Sequence, residues 1–228
     1  MVSPPPGKKI VLRIGGSVLG SPPQAKLLKG YAEVIAEARK LGNSVGVVVG
    51  GGPVSRAFIA TAKELGLPRE AQDMIAIDAS RLNARLVAMK LGVPRVSTTI
   101  QGMTIELGKN GTGVMGGLRP GITTDTVAAI LGDAWHSDLL VKASDQDGVY
   151  TADPRTDREA KLLHNLSYRE LVSILGGGRH RPGIHSIVDP VAAKFIAKHK
   201  LTLVVTNGFL TSNVRKAFLG ERVGTLVS

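Results

Sequence analysis

The stretch that decides the fold class is Val45-Gly46-Val47-Val48-Val49-Gly50-Gly51-Gly52-Pro53-Val54-Ser55-Arg56. Four valines in five residues predict a strand buried on both faces, as in a parallel sheet. Three glycines follow, and Pro53 suits the first turn of a helix, where its missing N–H is not needed. A strand that runs through glycines into a helix lets backbone N–H groups approach an anion, and Arg56 adds a cation one turn into that helix. A tight turn alone explains one glycine, whereas three in a row favour a phosphate-binding α/β protein.

Composition narrows the class further. The 228 residues suffice for one large α/β domain or two small lobes, and the net charge of +11 favours anionic partners, among them nucleotides. Aromatic residues make up only 4%, which supplies few platforms for stacking nucleic-acid bases. The chain has no cysteine, which excludes disulfides and thiolate metal sites. Residues 1–8 resemble a flexible tail and not a secretory signal, and no apolar stretch approaches the roughly 20 residues of a membrane span. We therefore expect a cytoplasmic protein with neither a membrane nor a nucleic acid as partner.

Strand and helix signals alternate along the rest of the chain. The first strand spans Lys9–Ile14 and ends at Gly15-Gly16-Ser17, which gives a second glycine turn after a strand. The other predicted helices cover 24–41, 67–91, 126–135, 167–175, 190–199 and 211–219, and the other predicted strands cover 95–100, 103–107, 138–143, 201–206 and 224–227. This alternation predicts one domain, residues 9–228, in which a mainly parallel sheet lies between helix layers.

Several polar residues in these segments have two interpretations. Arg13 lies beside the first glycine turn, either as a surface charge on an edge strand or as a cation of a site. Asp125 ends the polar loop 116–125, and the local sequence favours it as the N-cap of the following helix. Lys142 lies near the end of a predicted strand. The loop 144–154 carries three carboxylates, which indicate either a metal–phosphate neighbourhood or turns made by Asp and Gly.

Other features are predicted to carry no chemistry. Asp78 and Arg81 on the helix 67–91 are expected on its solvated face, and the basic loop 176–183 is expected to be a solvated turn. The spaced glycines of 111–116 do not indicate a dinucleotide site, because Pro120-Gly121 follows them instead of a helix.

In combination, the motifs resemble the amino acid kinase family. The resemblance runs from Ile10 to the C-terminus, and its most specific parts are Gly116–Asp125 and Asp147–Pro154, supported by residues 186–194. Within the family the chain is similar to the UMP kinases of the archaeal type. The resemblance implies a three-layer α/β/α sandwich that transfers the γ-phosphoryl group of ATP to UMP with Mg²⁺, giving UDP and ADP in pyrimidine nucleotide biosynthesis. It also implies a homo-oligomer, a hexamer built from dimers.

The same resemblance assigns roles to matching positions. Residues 9–137 would form the acceptor-binding part and residues 138–228 the ATP-binding part, and no protein residue is assigned to the metal. The ATP phosphates would contact Gly15, Gly16, Ser17, Gly52 and Arg56, and the nucleoside part of ATP would contact Ser144, Asp145, Tyr150 and Asp153. The UMP site would comprise Gly51, Asp73, Arg119, Pro120, Gly121, Ile122, Thr123, Thr124 and Asp125. The catalytic residues would be Arg13, Asp125 and Lys142, with Asp125 orienting the cations or the metal and not acting as a strong base.

The chain departs from the family pattern at two positions. Many members carry Lys where this chain has Arg13, and the planar guanidinium changes the geometry offered to a phosphate. The usual Asn or Lys is Asp145 here, which places an additional acid beside the ATP site. Lys142 is a candidate for the missing ammonium group.

Other functions compete with this interpretation. Isopentenyl phosphate kinases share the scaffold but typically carry His before and after the glycine run, where this chain has Val49 and Pro53–Arg56. Carbamate and acetylglutamate kinases lack a loop of the 119–125 type. A nucleotide-binding relative without catalysis stays open because of Arg13 and Asp145, and an RNA-binding role rests only on the net charge and the loop 176–183.

Overall fold

The centre of the molecule is a seven-stranded sheet. The computed structural model describes residues 7–176 and 187–228. Its strands are β1 (Lys9–Ile14), β2 (Ser44–Val49), β3 (Thr112–Met115), β4 (Leu139–Ser144), β5 (Val149–Tyr150), β6 (Leu162–Leu163), β7 (Asn165–Leu166), β8 (Leu203–Asn207) and β9 (Thr225–Val227). The sheet order is β3-β2-β1-β4-β8-β9-β7, and β5 pairs with β6 in a separate antiparallel ribbon. The first five strands in that order run parallel, and β9 is antiparallel to β8, which confirms a mainly parallel sheet.

Helices cover both faces of this sheet. They are α1 (Gly16–Leu19), α2 (Ala25–Lys40), α3 (Gly52–Glu64), α4 (Arg69–Leu91), α5 (Ile100–Asn110), α6 (Thr124–Ala134), α7 (Tyr168–Gly176), α8 (Pro190–His199) and α9 (Thr211–Leu219). Buried side chains of α2, α4 and α9 pack on one face, and those of α5, α6, α7 and α8 pack on the other. Two hydrophobic clusters separated by the sheet make the predicted three-layer α/β/α sandwich.

Strand β1 lies in the middle of the sheet, between β2 and β4. Successive side chains of a strand point to opposite faces. Ile10, Leu12 and Ile14 accordingly join the cluster under α2 and α4, whereas Val11 joins the cluster under α6. Arg13 has the same parity as Val11, so its side chain points towards α6. The interpretation of Arg13 as a surface charge on an edge strand is therefore wrong.

The two strands predicted at 95–100 and 103–107 are also wrong, since Ser97 makes only an isolated bridge to Met115 and a helix follows. Helix α5 occupies Ile100–Asn110, where Met103, Glu106 and Leu107 are buried at the spacing of a helix. The Thr99 side chain caps this helix by accepting a hydrogen bond from the Gly102 N–H at 3.0 Å. The strand of this region is β3, which follows directly after α5.

Helix α4 confirms the long helix predicted for 67–91, and of its larger apolar residues Ile77 and Val87 are buried, at 6% and 3% exposure. Met74, Leu82, Leu86 and Met89 are exposed, at 45%, 63%, 41% and 73% of their surface. The buried residues of α4 are mainly small ones, among them Ala84 and Ala88. The outer side of α4 thus carries exposed apolar side chains.

Two predictions fall largely outside the described residues. These are the tail 1–8, of which only Gly7 and Lys8 are described, and the basic loop 176–183, of which only Gly176 is described. Among the helices of the described residues, none combines the length and the apolar character that crossing a membrane requires.

Candidate active site

A polar cleft of about 550 Å³ opens at the carboxyl ends of β1, β2 and β4. Ligands of open α/β sheets bind at this edge. The cleft is lined by Arg13, Gly15, Gly16, Ser17, Gly52, Arg56, Asp125, Lys142, Ser144, Asp145, Gln146, Arg155 and Ile187. Residues that are far apart in sequence, on two glycine turns, the start of α6 and the end of β4, thus share one cavity.

The two glycine turns touch each other through their backbones. A Cβ atom added to Gly16 would lie 2.5 Å from the Cα of Gly52 and 2.6 Å from the carbonyl carbon of Gly51. Gly52 also has a φ of +61°, which side chains rarely adopt. Asn83 on α4 fixes the second turn, because its amide donates to the carbonyls of Gly50 at 2.9 Å and of Gly51 at 3.1 Å. Only glycine permits this approach, which brings the backbone N–H groups at two helix starts to one place.

A carboxylate and two cations form the floor of the cleft. Arg13 and Lys142 are at paired positions of β1 and β4, so both side chains point to the same face of the sheet. Asp125, in the first turn of α6, forms an ion pair with each of these cations. Arg13 Nε lies 2.7 Å from Asp125 Oδ1, and Lys142 Nζ contacts Asp125 Oδ2. Arg13 Nη2 also donates to Thr124 Oγ1 at 3.0 Å. The sheet order, and not any local motif, brings these three charges together.

Asp125 is not the N-cap of α6, contrary to the interpretation that the local sequence favours. Thr123 is the N-cap, and its hydroxyl accepts from the backbone N–H groups of Asp125 and Thr126 at 3.2 and 3.3 Å. This arrangement leaves the Asp125 carboxylate to the cations, in a helix turn whose dipole favours negative charge.

Burial and charge act in opposite directions on the pKa values of this cluster. Burial alone would raise the pKa of Asp125, but the charges of Arg13 and Lys142, with hydrogen bonds from Lys142 and from the Asp189 backbone, lower it below its ordinary value. Burial lowers the pKa of Lys142 to about 8, with Arg13 acting in the same direction and Asp125 opposing it. Asp125 is therefore ionised at neutral pH, and Lys142 titrates at a slightly alkaline pH.

The loop 116–123 is held against α4. The Gly117 N–H donates to Ser80 Oγ at 2.6 Å, and Arg81 donates from Nε to the Gly117 carbonyl at 3.1 Å. The Gly121 N–H donates to Asp73 Oδ2 at 2.9 Å, so two residues predicted for the UMP site are in contact. Arg81 thus holds this loop by hydrogen bonds to its backbone, and the prediction that Arg81 lies on a solvated face is wrong. Asp78 is exposed, as predicted.

The other end of the loop is tied to α8. Asp189 caps that helix, as its Oδ1 accepts from the backbone N–H groups of Val191 at 2.8 Å and Ala192 at 3.0 Å. Its Oδ2 also accepts from the hydroxyls of Thr123 and Thr126. One carboxylate therefore joins the start of α6, which carries Asp125, to the start of α8.

The segment after β4 forms the opposite wall of the cleft. Ser144 Oγ donates to Asp145 Oδ1 at 3.2 Å, and both residues line the cavity. Tyr150 does not line it and donates to Asp147 Oδ2 at 3.2 Å. Burial, then the charge of Asp147 and the hydrogen bond to it, raise the pKa of Tyr150. Asp153 also lies outside the lining and bonds the guanidinium of Arg155, which does line it.

A model of the amino acid kinase family matches residues 8–207 of this sequence. The chain belongs to the amino acid kinase family. The uridylate kinase of Hyperthermus butylicus is 38% identical over 226 residues, which cover 98% of this chain and 99% of that protein. A crystal structure of uridylate kinase from Archaeoglobus fulgidus superposes with a TM-score of 0.86 at 36% identity and covers 96% of this chain and 100% of that one. A crystal structure of UMP kinase from Bacillus anthracis gives 0.81 at 25% identity and covers 98% of this chain and 96% of that one. The family and the fold expected from the motifs are confirmed.

The structure of this amino acid kinase brings most of the predicted ATP and catalytic residues into the cleft. Those that line it are Arg13, Gly15, Gly16, Ser17, Gly52, Arg56, Asp125, Lys142, Ser144 and Asp145. The predicted residues outside that lining are Tyr150 and Asp153 on the ATP side, and Gly51, Asp73 and Arg119–Thr124 on the UMP side. Their contacts with nucleotides stay predictions.

Three residues that contribute to the site were missed by sequence reasoning. Asn83 holds the second glycine turn, Arg155 lines the cleft, and Asp189 joins α6 to α8. Asp189 directly precedes the predicted helix 190–199, but its bonds to α6 depend on threonines 63 and 66 positions away. Arg155 had a local signal, since it follows Asp153 by two positions in a loop already assigned to ATP.

Proposed function

We propose that this amino acid kinase transfers the γ-phosphoryl group of ATP to UMP, giving ADP and UDP, as a step of pyrimidine nucleotide biosynthesis. The observation that carries the proposal is the floor of the cleft, where Arg13 and Lys142 flank Asp125 beside two touching glycine turns. Relatives named uridylate kinase, such as the 38% identical protein of Hyperthermus butylicus, match nearly the full length of the chain. Phosphoryl transfer requires positioning and charge neutralisation more than a covalent nucleophile, and this site offers both.

The donor phosphates would occupy the glycine turns. Gly16, Ser17 and Gly52 would offer backbone N–H groups and a hydroxyl, whereas the Gly15 N–H donates to the Ala143 carbonyl at 2.9 Å, so Gly15 would contribute only close approach. Arg56 reaches across the two turns to donate to Ser17 Oγ at 3.3 Å. Arg13 and Lys142 would neutralise the charge that develops on the transferring group. Asp125 is paired with both cations and has a lowered pKa, so it would orient them and would not take up the proton of the acceptor.

The acceptor would lie next to this cleft, on its α4 side, where the loop 116–123 contacts α4. Asp73 uses Oδ2 to hold the Gly121 N–H, which leaves Oδ1 as the oxygen for a ribose hydroxyl. Arg119 is exposed in the same loop and offers a cation for the UMP phosphate. In this proposal residues 9–137 hold the acceptor and the ends of the donor phosphates, and residues 138–228 hold the nucleoside of ATP through Ser144–Gln146.

Magnesium fits the acidic residues of this cleft only as a companion of the nucleotide. No group of three or more potential metal ligands occurs within residues 7–176 and 187–228. Mg²⁺ commonly binds through one or two carboxylates together with substrate phosphates and waters. Asp145 is exposed at the cleft and fits that pattern, whereas Asp125 is neutralised by two cations. When bound, the ion would neutralise the β- and γ-phosphate oxygens of ATP.

We also propose that the protein acts in the cytoplasm as a homo-oligomer, by resemblance a hexamer built from dimers. The exposed apolar residues Phe58 and Leu65 of the α3 region and Met74, Leu82 and Met89 of α4 support an interface between copies. Light scattering coupled to size exclusion tests this assembly. Substitution of Leu82 or Met89 by Glu is expected to give smaller particles, and a monomeric parent protein would contradict the proposal.

A coupled assay of ADP release tests the activity across UMP, CMP, dUMP, AMP and isopentenyl phosphate. We expect UMP to have the highest kcat/KM. Efficient turnover of isopentenyl phosphate with inert UMP would move the chain to another kinase class of the same fold. No turnover of any acceptor, with ATP binding retained, would favour a nucleotide-binding relative without catalysis.

A further inference from the structure

Arg155 brings a cation to the cleft from the segment between β5 and β6. Its Nε donates to Asp153 Oδ1 and its Nη2 to Asp153 Oδ2, each at 3.1 Å, and its backbone N–H donates to Oδ1 at 3.0 Å. The Asp153 side chain is only 2% exposed, whereas that of Arg155 is 55% exposed. A buried carboxylate thus fixes one edge of the guanidinium, and the residue itself lines the cleft.

The remaining part of this guanidinium is available to a ligand. Across residues 7–176 and 187–228, Arg155 Nη1 makes no hydrogen bond, and the residue lines the same cavity as Gly16, Arg56 and Asp145. A free surface arginine loses side-chain entropy when it becomes ordered on a ligand. The two hydrogen bonds to Asp153 already order the Arg155 side chain, so much of that entropic cost does not arise on binding. A planar guanidinium with unused N–H groups is well suited to phosphate oxygens.

We propose that Arg155 contacts the phosphate chain of the donor nucleotide, and that Asp153 is a positioning residue that acts through Arg155. This inference rests on the proposed function only in placing ATP in the cleft. It changes the role expected for Asp153 from the family resemblance, because both oxygens of its carboxylate accept hydrogen bonds from Arg155.

Steady-state kinetics of Arg155→Ala test the contact. We expect the KM for ATP and the inhibition constant of ADP to rise about 10-fold or more, as for a lost hydrogen bond to a charged group, with the KM for UMP within about twofold of the parent. Arg158→Ala is the matched control, since Arg158 is an exposed arginine of the same segment that does not line the cleft. Equal ATP parameters in the two variants would overturn the proposal.

Loss of Arg155 also leaves Asp153 without this charged partner, so stability needs a separate readout. Melting temperatures are measured for every variant, and Arg155→Lys keeps the charge if the alanine variant does not fold. Because a lysine cannot bond Asp153 with a fork and still reach the cleft, we expect an intermediate rise in the KM for ATP. A parent-like value for Arg155→Lys would overturn the fixed-guanidinium geometry.

Binding of inorganic tripolyphosphate separates the phosphate chain from the nucleoside. At a concentration at which tripolyphosphate raises the melting temperature of the parent, we expect a clearly smaller rise for Arg155→Ala. An equal rise in both proteins would place the contact on the nucleoside and overturn the proposal. This measurement needs no acceptor, so it decides the role of Arg155 even if the chain proves inactive towards UMP.

A double-mutant cycle tests the positioning role of Asp153. Asp153→Asn is expected to raise the KM for ATP, and the combination with Arg155→Ala is expected to be no worse than Arg155→Ala alone. Additive losses would show that Asp153 acts on the nucleotide by itself, which would overturn that part of the proposal.

Discussion

Substitution of Gly16 by Ala tests whether the contact between the glycine turns sets the geometry of the site. The new methyl group would lie 2.5 Å from the Cα of Gly52 and 2.6 Å from the carbonyl carbon of Gly51. Ordinary van der Waals contact begins near 3.4 Å and the Gly52 nitrogen is closer still, so the turns must separate by at least about 1 Å, a displacement that can cost about 100-fold in rate. We expect kcat/KM for ATP to fall by about that factor in the ADP-release assay, because the N–H groups of the two turns no longer converge.

The matched control is Gly108→Ala on α5. Gly108 is exposed in a helix, and an added Cβ would meet no atom within 4 Å. We expect unchanged kinetics and a gain of roughly 0.5–1 kcal/mol in the free energy of unfolding, since alanine favours a helix over glycine. If Gly16→Ala kept more than about a third of the parent activity, the turns would not need their close approach, and the reasoning would be refuted.

Further predictions concern the charges and the acceptor side. Arg13→Ala should lower kcat roughly 100-fold. Arg13→Lys should also lower kcat strongly, because the guanidinium contacts both Asp125 and Thr124 and an ammonium group cannot replace both contacts. A lysine variant with kcat within about threefold of the parent would show that Arg13 contributes only its charge. Asp125→Asn should lower kcat about 100-fold with little change in the KM for UMP, and a silent variant would remove Asp125 from the catalytic set. The Lys142 ammonium loses its proton as pH rises through about 8, so kcat/KM for ATP should fall above that pH and Lys142→Arg should move the fall upward; an identical profile in both proteins would contradict this. The parent should prefer UMP to dUMP and Asp73→Ala should lose this preference, whereas equal use of both acceptors by the parent would disprove the ribose contact.

The sequence predicted the layers and the main elements because their signals are local. The valine run of β2, the glycines after it and the long helix of α4 are each visible within one window of the chain. The prediction of strands in the α5 region was wrong because its short apolar pairs fit the period of a strand as well as that of a helix. The burial of Met103 together with Leu107, four residues apart, shows that the helical period applies. The apolar residues of α4 predict its buried side only in part: Val87 joins the core with the small residues Ala84 and Ala88, whereas Leu82 and Met89 face outward.

The site was only partly predictable, because its charges meet through the sheet order. Nothing near Arg13 indicates that β1 lies between β2 and β4, and a local view therefore permits an edge strand. Asp125 next to two threonines resembles a cap, and its pairing with Lys142 bridges 17 residues through the β4 connection. Family resemblance predicts a catalytic role for these residues where local reasoning leaves two interpretations.

The central position of β1 explains how a hydrophobic sheet can carry this site. Successive side chains of β1 point to opposite faces of the sheet, so Leu12 and Ile14 lie on one face and Val11 and Arg13 on the other. One strand of six residues therefore supplies both core side chains and a cation of the site. Burying Arg13 and Lys142 side by side would be strongly unfavourable without a counter-charge, and Asp125 supplies it from the start of α6. One carboxylate between two cations leaves a net positive charge, and in the proposed function this is where two anionic nucleotides would approach each other. The same pairing therefore makes the buried charges compatible with the fold and leaves the excess positive charge that the proposed phosphoryl transfer would use.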